Sequence, residues 1–390
     1  MTHRREILDA DALLAQAQAQ TGLTDWGDVT LSERFRIAVE FLKSCDMDEA
    51  GQRAGAETCL RLLKTRLEFF EDFKRYPIAQ EKIVQPLFVV GSDMRSGTTL
   101  LQALLSVDPN GRALRFWEVM YPSPPPGLAA PDDPRRAKAD ADWREINATM
   151  QGFLKSRPYW DMLGNGLAED QSAWSFDFRM MIPSTWWRVP FGMNVSGLPG
   201  DPRAEYRIHK MMLQQLQYAR PRKYWVLKGF HGDRLTELFE TYPDAKIIWI
   251  HRDPVQSIAS RIAIMGEAVQ ALTGHVDWDE MARTHLAIGR ANFKATLDNK
   301  MLDDPRIHNV PYGEFVRSPV ETVHGFYQRY GVRFGDETEA AMRAYISNNK
   351  SDKYGKFTYS TDIIGADINS LHEEFRPYRE RFGLEIERRT

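Results

Sequence analysis

The segment from Arg95 to Thr99, of sequence Arg-Ser-Gly-Thr-Thr, most constrains what this chain can fold into. It follows an apolar run at residues 87–91 and precedes a helix-like run at residues 100–105. A buried strand that turns through glycine into a helix presents free backbone amides and the positive end of the helix dipole to an anion. The hydroxyls of Thr98 and Thr99 and the guanidinium of Arg95 add further donors. The segment therefore predicts a loop that binds a phosphate-like group.

This loop differs from the usual phosphate loop of proteins that bind nucleoside triphosphates. That loop carries Gly-Lys-Ser/Thr, with the lysine directly after the glycine. Here the cation, Arg95, precedes Gly97, and no lysine follows the glycine. This departure from the usual loop matters more than the similarity to it.

Short apolar runs alternate with helical patterns over most of the chain. The predicted strands lie at residues 87–90, 224–227, 246–250 and 306–310, and the predicted helices at 97–107, 231–241, 254–265 and 278–300. Such alternation predicts an α/β fold in which a P-loop-like parallel sheet is flanked by helices. Ligands of these sheets bind at the carboxyl ends of the strands.

The remaining sequence predicts additions to this α/β domain. Residues 1–83 are expected to form an N-terminal helical region, and residues 84–348 the α/β domain. Residues 115–220, approximately, form a helical and aromatic insertion within it. Residues 349–390 form a tail that ends in a predicted helix at 368–382.

A second anion-binding element follows the predicted strand at 246–250. Asp253 is a good helix N-cap and Pro254 suits the first helical position, so a helix starts here. Arg252 lies at the strand end, and Ser257 and Ser260 share one helix face. A surface arginine with helix-facing serines is an equally good interpretation of the spacing alone. Two anion sites at neighbouring strand ends would indicate a nucleoside with phosphates at both ends.

These motifs, in this order, resemble those of sulfotransferases that use 3′-phosphoadenosine 5′-phosphosulfate (PAPS). The similarity spans roughly residues 84–385 and is greatest to the bacterial branch that is also similar to tyrosylprotein sulfotransferases. The motifs that carry it are Arg95, Ser96, Gly97, Thr98 and Thr99; Trp117-Glu118 followed by Pro122–Pro126; Leu227-Lys228-Gly229-Phe230-His231 followed by Tyr242–Lys246; and Arg252 with Ser260.

The resemblance implies roles for these residues. The loop at 95–99 would bind the 5′-phosphosulfate of PAPS, and Arg252 with Ser260 the 3′-phosphate. Tyr312 would lie near the adenosine, and Lys356, in the tail, would contact a phosphate; a packed turn aromatic and a solvated tail lysine are the alternatives. Departures from the family pattern include a first loop one residue longer and without proline, and a Lys228 segment without Ser-Pro.

The chemistry implied by the resemblance is sulfonate transfer to an acceptor hydroxyl or amine, which needs positioning and well-placed cations. Lys228 and Arg95 suit the charge that builds on the leaving group. Glu118 is our first choice of general base and His231 the second. The alternative interpretations are a solvated or salt-bridged carboxylate for Glu118 and a surface helix-capping residue for His231. No metal is expected, since no metal-ligand motif occurs.

Aromatic and methionine residues concentrate at 159–191. An ordinary helical core is the favoured explanation, but such a lining also suits a small or lipidic hydrophobic acceptor, and both can hold. A net charge of −3 makes nucleic acid a poor partner. No run approaches the ~20 apolar residues of a membrane span. The two isolated cysteines and the absence of a signal peptide predict a cytoplasmic protein. A homodimer is left open.

Two other functions fit parts of the sequence. A nucleotide kinase-like phosphotransferase would need a lysine after the loop glycine and a carboxylate for magnesium; Asp253 could supply the carboxylate, but its role as an N-cap explains it better. A nucleotide-binding protein without catalysis would fit the altered loop and the missing Ser-Pro.

Overall fold

The computed structural model describes residues 7–45, 47–149, 163–179, 201–349 and 357–387. The chain divides into two compact units. In the described residues, the first unit comprises 7–45, 47–83, 114–149, 163–179 and 201–221, and the second comprises 84–113, 222–349 and 357–387. None of the described helices is long and apolar enough to cross a bilayer.

Strands and helices alternate through the second unit, whereas the first is helical. The strands are β1 Gln85–Gly91, β2 Gly111–Ala113, β3 Tyr224–Lys228, β4 Lys246–His251 and β5 Ile307–Pro311. The α-helices in the described part of the chain are α1 Ala10–Thr21, α2 Leu31–Ser44, α3 Glu49–Arg75, α4 Thr98–Ser106, α5 Phe116–Met120, α6 Pro134–Thr149, α7 Pro202–Gln217, α8 Leu235–Thr241, α9 Pro254–Thr273, α10 Trp278–Asp298, α11 Tyr312–Arg317, α12 Pro319–Tyr330, α13 Asp336–Asn348, α14 Ile368–Glu374 and α15 Arg376–Phe382.

The five strands form one parallel sheet in the order β2-β3-β1-β4-β5. This confirms the predicted α/β fold class. Strand β1 is central and buried on both faces, which explains its continuous apolar sequence. Val89 of β1 pairs with Lys228, and Gly91 pairs with Ile250. The carboxyl ends of β3, β1 and β4 are therefore neighbours, and the predicted anion-binding residues follow them.

Several elements differ from the prediction, among them α9, which continues to Thr273 instead of ending at 265. Helix α8 begins at Leu235, because a turn follows Lys228 instead of a helix at 231. The predicted C-terminal helix is two helices, α14 and α15, separated at Phe375. Pro377 has no backbone N–H and its ring crowds the preceding turn, so one continuous helix cannot form there. Strand β2, with three residues, was not predicted.

The first unit contains the N-terminal helices and most of the long insertion. Its 3₁₀ segment Asp170–Asp177 packs on α3 and α7. Asp177 is fully buried and forms ion pairs with Arg34 and Arg66. These contacts tie the insertion to helices α2 and α3 within one core.

Candidate active site

The loop between β1 and α4 holds an unusual backbone conformation at Arg95. Its φ is 69°, in the left-handed region that residues other than glycine rarely adopt. The buried Ser96 hydroxyl donates to the carbonyl of Asp93 at 2.9 Å, which closes the turn. Left-handed residues persist where surrounding contacts hold them, and they concentrate at functional sites. The loop is therefore a fixed turn that leads into the amino terminus of α4.

Gly97 is the last loop residue and the N-cap of α4. Its φ is 84°, and a Cβ at this position would lie 2.9 Å from Cε2 of Tyr312. Both the backbone conformation and the close approach of the tyrosine ring therefore require glycine. Tyr312 begins α11 directly after β5, so this contact joins the loop to the end of a strand at the sheet edge.

Lys228 ends β3 beside the same loop. Its Nζ donates to Oγ1 of Thr99 at 3.1 Å. Thr99 is exposed and Lys228 is half-buried, so both remain accessible from solvent. The structure thus brings together the predicted catalytic lysine and a predicted donor-binding threonine.

Arg252 and Ser260 join directly to the first loop. Nη1 of Arg252 donates to the carbonyl of Arg95 at 2.7 Å, and Nε of Arg95 donates to Oγ of Ser260 at 3.2 Å. The Arg252 guanidinium also lies 4.4 Å from the centre of the Tyr312 ring. The two predicted anion-binding elements are therefore parts of one hydrogen-bonded site. The hydroxyl of Ser257, buried one turn away on α9, has no hydrogen-bond partner among the described residues.

A residue that the sequence analysis did not consider also contacts Arg252. Nε and Nη2 of Arg252 each donate to the Glu387 carboxylate at 2.8 Å. Arg252 is only 3% exposed. Burial lowers its pKa, but the hydrogen bonds and charge of Glu387 outweigh burial and raise that pKa above its usual value. No sequence signal marks Glu387, because it lies 135 residues from Arg252 along the chain.

Asp93 is a second residue that the sequence did not reveal. Its carboxylate is buried beneath the loop, accepts from the backbone N–H of Met94 at 2.7 Å and contacts the guanidinium of Arg261. Burial lowers the pKa of Arg261 to about 10. The sequence could have indicated this pair, because an acidic residue in an anion-binding loop needs a cation beside it.

The two candidate bases lie in different units. Glu118, of α5 in the first unit, is buried and accepts from the backbone N–H of Arg115 at 3.3 Å. His231, of the second unit, is also buried, and its ring packs edge-on against Phe88 at 4.9 Å. His231 is thus not the surface residue that the alternative interpretation supposed.

Part of the predicted site lies outside the described residues: Lys356, and the aromatic and methionine residues at 159–162 and 180–191. The described members of that segment are core residues of the first unit. Phe176 contacts Phe69 and Phe178 contacts Phe35, with ring centres 5.0 and 4.9 Å apart. Within the described ranges, no cluster of three or more His, Cys, Asp or Glu side chains could hold a metal ion.

Comparisons with known proteins identify the family and the fold. The model of the sulfotransferase family matches residues 86–336. The crystal structure of the sulfotransferase STF9 from Mycobacterium avium superposes with a TM-score of 0.82, at 26% identity, covering 100% of both chains. The sulfotransferase STF1 from Mycobacterium tuberculosis, at 22% identity, has the same fold, with a TM-score of 0.73 over 96% of this chain and 100% of that one. A search of curated proteins finds no match.

The family match includes β1 from its second residue, the anion loop, Lys228 and the Arg252 segment, and it spans well over half of the chain. The protein therefore belongs to the sulfotransferase family and is an enzyme of that class.

Proposed function

We propose that the protein transfers a sulfonate group from PAPS to a hydroxyl or amine of a small or lipidic, hydrophobic acceptor. The observation that carries this proposal is the direct joining of the two anion-binding elements, through the Arg95–Ser260 and Arg252–Arg95 hydrogen bonds. One nucleotide with a 5′-phosphosulfate and a 3′-phosphate would engage both elements. Family membership favours this reaction over the kinase-like and non-catalytic alternatives.

The residues present fit such a donor. Arg95, Ser96, Gly97, Thr98 and Thr99 would hold the 5′ end through the loop and the amino terminus of α4. Arg252 and Ser260 would hold the 3′-phosphate, with Tyr312 near the adenosine and Lys356 as an additional phosphate contact. The buried hydroxyl of Ser257, which has no partner in the described structure, is a polar atom that a bound phosphate would satisfy.

When bound, PAPS would supply a sulfonate group on a phosphate leaving group. Lys228, held by its hydrogen bond to Thr99, would neutralise the charge that develops on the leaving oxygen. The acceptor must lose a proton as it attacks, and we propose Glu118 as the base, with His231 as the second candidate. Both side chains are buried.

The acceptor class is supported by the aromatic and methionine residues of the sequence at 159–191. In addition, Phe230, two residues beyond Lys228 along the chain, is 44% exposed. It could contact the apolar body of an acceptor whose polar group faces Lys228. We further propose that the protein is cytoplasmic, that the tail at 349–390 completes the donor site of the α/β domain, and that homodimer formation is compatible with this function.

Nucleotide binding tests the proposal. Replacing Arg252 by alanine should weaken binding of adenosine 3′,5′-bisphosphate by about 100-fold, because a charge-assisted contact is lost. It should weaken binding of adenosine 5′-monophosphate by less than about threefold. Isothermal calorimetry without magnesium measures both. Equal weakening of the two nucleotides, or binding of ATP only with magnesium, would contradict the assignment. Mass spectrometry of hydroxylated metabolites incubated with enzyme and PAPS would then identify the acceptor by its added sulfonate.

A further inference from the structure

The Glu387 carboxylate forms an ion pair with Arg252, the arginine that the proposed function assigns to the 3′-phosphate. Its two oxygens accept from Nε and Nη2 of Arg252, both at 2.8 Å. We propose that Glu387 competes with the 3′-phosphate of the donor for Arg252, so that this residue sets how tightly the enzyme holds 3′-phosphorylated nucleotides. This inference rests on the proposed function.

The backbone also fixes Glu387 in this position. Its N–H donates to Oδ2 of Asp253 at 3.0 Å, and its carbonyl accepts from Nε2 of Gln256 at 3.0 Å. Asp253 is the N-cap of α9, and its other oxygen accepts from the N–H of Val255. Three separate contacts therefore seat Glu387 on the first turn of the helix that carries Ser260. A surface side chain that met Arg252 by chance would not have the two backbone contacts.

The path of the chain explains how Glu387 reaches this place. Helix α15 is anchored to β4, because Tyr378 hydrogen-bonds to His251 and the Phe382 ring stacks on the same imidazole at 3.5 Å. Gly383, with a φ of 63°, then ends the helix and turns the chain. The four residues that follow span the distance from this anchor to the amino terminus of α9.

Arg252 cannot give the same hydrogen bonds to two anions. A guanidinium holds an oxyanion in bidentate fashion along one of its edges. Glu387 fills the Nε–Nη2 edge, and the carbonyl of Arg95 takes a hydrogen from Nη1. A phosphate must therefore displace Glu387 or share a cation already neutralised by it.

Exchange of Glu387 for the 3′-phosphate on Arg252 has a physical advantage for an enzyme that must release its nucleotide product. A buried arginine without a counter-charge is unfavourable, and Glu387 supplies that charge whenever no phosphate does. The free energy of breaking this pair is subtracted from the free energy of nucleotide binding. Binding is therefore weaker, and release faster, than Arg252 and Ser260 alone would give.

The test compares Glu387→Gln and Glu387→Ala with wild type and with Glu385→Gln, a control that removes the same charge from an exposed position two residues earlier. Calorimetry measures binding of adenosine 3′,5′-bisphosphate and adenosine 5′-monophosphate, and stopped flow measures bisphosphate release. Both Glu387 variants should bind the bisphosphate about tenfold tighter, as expected when a buried competing ion pair is removed. The monophosphate should bind as in wild type, and Glu385→Gln should change neither affinity.

The possible failures are distinguishable. If wild type and Arg252→Ala bind the bisphosphate equally, Arg252 has no phosphate role and the proposed function is wrong. If Arg252→Ala weakens the bisphosphate selectively but both Glu387 variants bind it as wild type does, or more weakly, then Glu387 does not compete and this inference alone is overturned. Weaker binding would instead assign Glu387 to positioning Arg252.

Discussion

At the scale of single residues, the site depends on cations placed where strands end. Lys228 closes a buried strand, and Arg252 follows another with only 3% of its surface exposed. Charged side chains are rarely buried without a partner. Lys228 meets Thr99, and Arg252 meets Glu387 and the carbonyl of Arg95. Each cation is thus held in place before any nucleotide arrives.

Lys228 should be needed for turnover but not for nucleotide binding. Replacing it by alanine should lower kcat at least 100-fold, because stabilisation of the developing charge is lost, and should change bisphosphate affinity less than about threefold. Lys223→Ala is the matched control, since Lys223 is exposed just before the opposite end of the same strand. Near-normal turnover of Lys228→Ala with an identified acceptor would contradict the catalytic assignment.

Residues in sequence motifs could be predicted, but their distant partners could not. Arg95, Arg252 and Ser260 are predicted as site residues because each lies at a fixed offset from a strand end or helix start. The pairing of Arg252 with Glu387 depends on how the chain returns after 135 residues, which no local pattern encodes.

At the scale of elements, the anion loop is a rigid unit attached to its neighbouring helices. Asp93 links it to α9 through Arg261 and to α10 through Asn292, whose Nδ2 lies 3.5 Å from Oδ1 of Asp93. Nε and Nη1 of Arg261 have no partner within the described structure. The Asp93 contact is therefore the principal compensation for burying this guanidinium.

Removing one partner of the Asp93–Arg261 pair should destabilise the protein. Arg261→Ala should lower the free energy of unfolding by about 2 kcal/mol, because the Asp93 carboxylate stays buried without its cation. The double variant Asp93→Ala, Arg261→Ala should lose less than the sum of the two single variants. Chemical denaturation of the four proteins measures this coupling, and strict additivity would show that the pair does not act as a unit.

The three central strands and the edge strand β5 could be predicted from the sequence, but the other edge strand, β2, could not. Strands β1, β3 and β4 have continuous apolar sequences because helices cover both faces of the sheet. Strand β2 has three residues, one of them a charged arginine, so its apolar signal is too short to stand out. Its place in the sheet comes from pairing with β3, which is a tertiary property.

At the scale of the whole molecule, two cores stabilise the chain, and the second depends on a buried histidine. His251 ends β4, and its Nε2 lies 2.9 Å from Oδ1 of Asn309 on β5. Since Nδ2 of Asn309 donates to the carbonyl of Leu302, Oδ1 is the acceptor and Nε2 carries the proton. Nδ1, 2.6 Å from the Tyr378 hydroxyl, then accepts from that hydroxyl. Neutral His251 therefore joins two strands to the C-terminal helix α15.

Protonation of His251 would break this connection, so acid should weaken the second unit. Burial lowers the pKa of His251 to about 3, against 6.5 for an exposed histidine. Between these values the unfolded chain binds the proton and the folded chain does not, so stability falls as pH decreases from 6.5 toward 3. Between pH 7 and pH 4.5, wild type should lose about 2 kcal/mol more unfolding free energy than His251→Gln, which cannot titrate. Urea denaturation followed by tryptophan fluorescence is a suitable measurement, because Trp249 stacks on His251 with 5.5 Å between ring centres. An equal acid sensitivity of the two proteins would mean that His251 is protonated in the folded state, and that the sheet and α15 are held together without its hydrogen bonds.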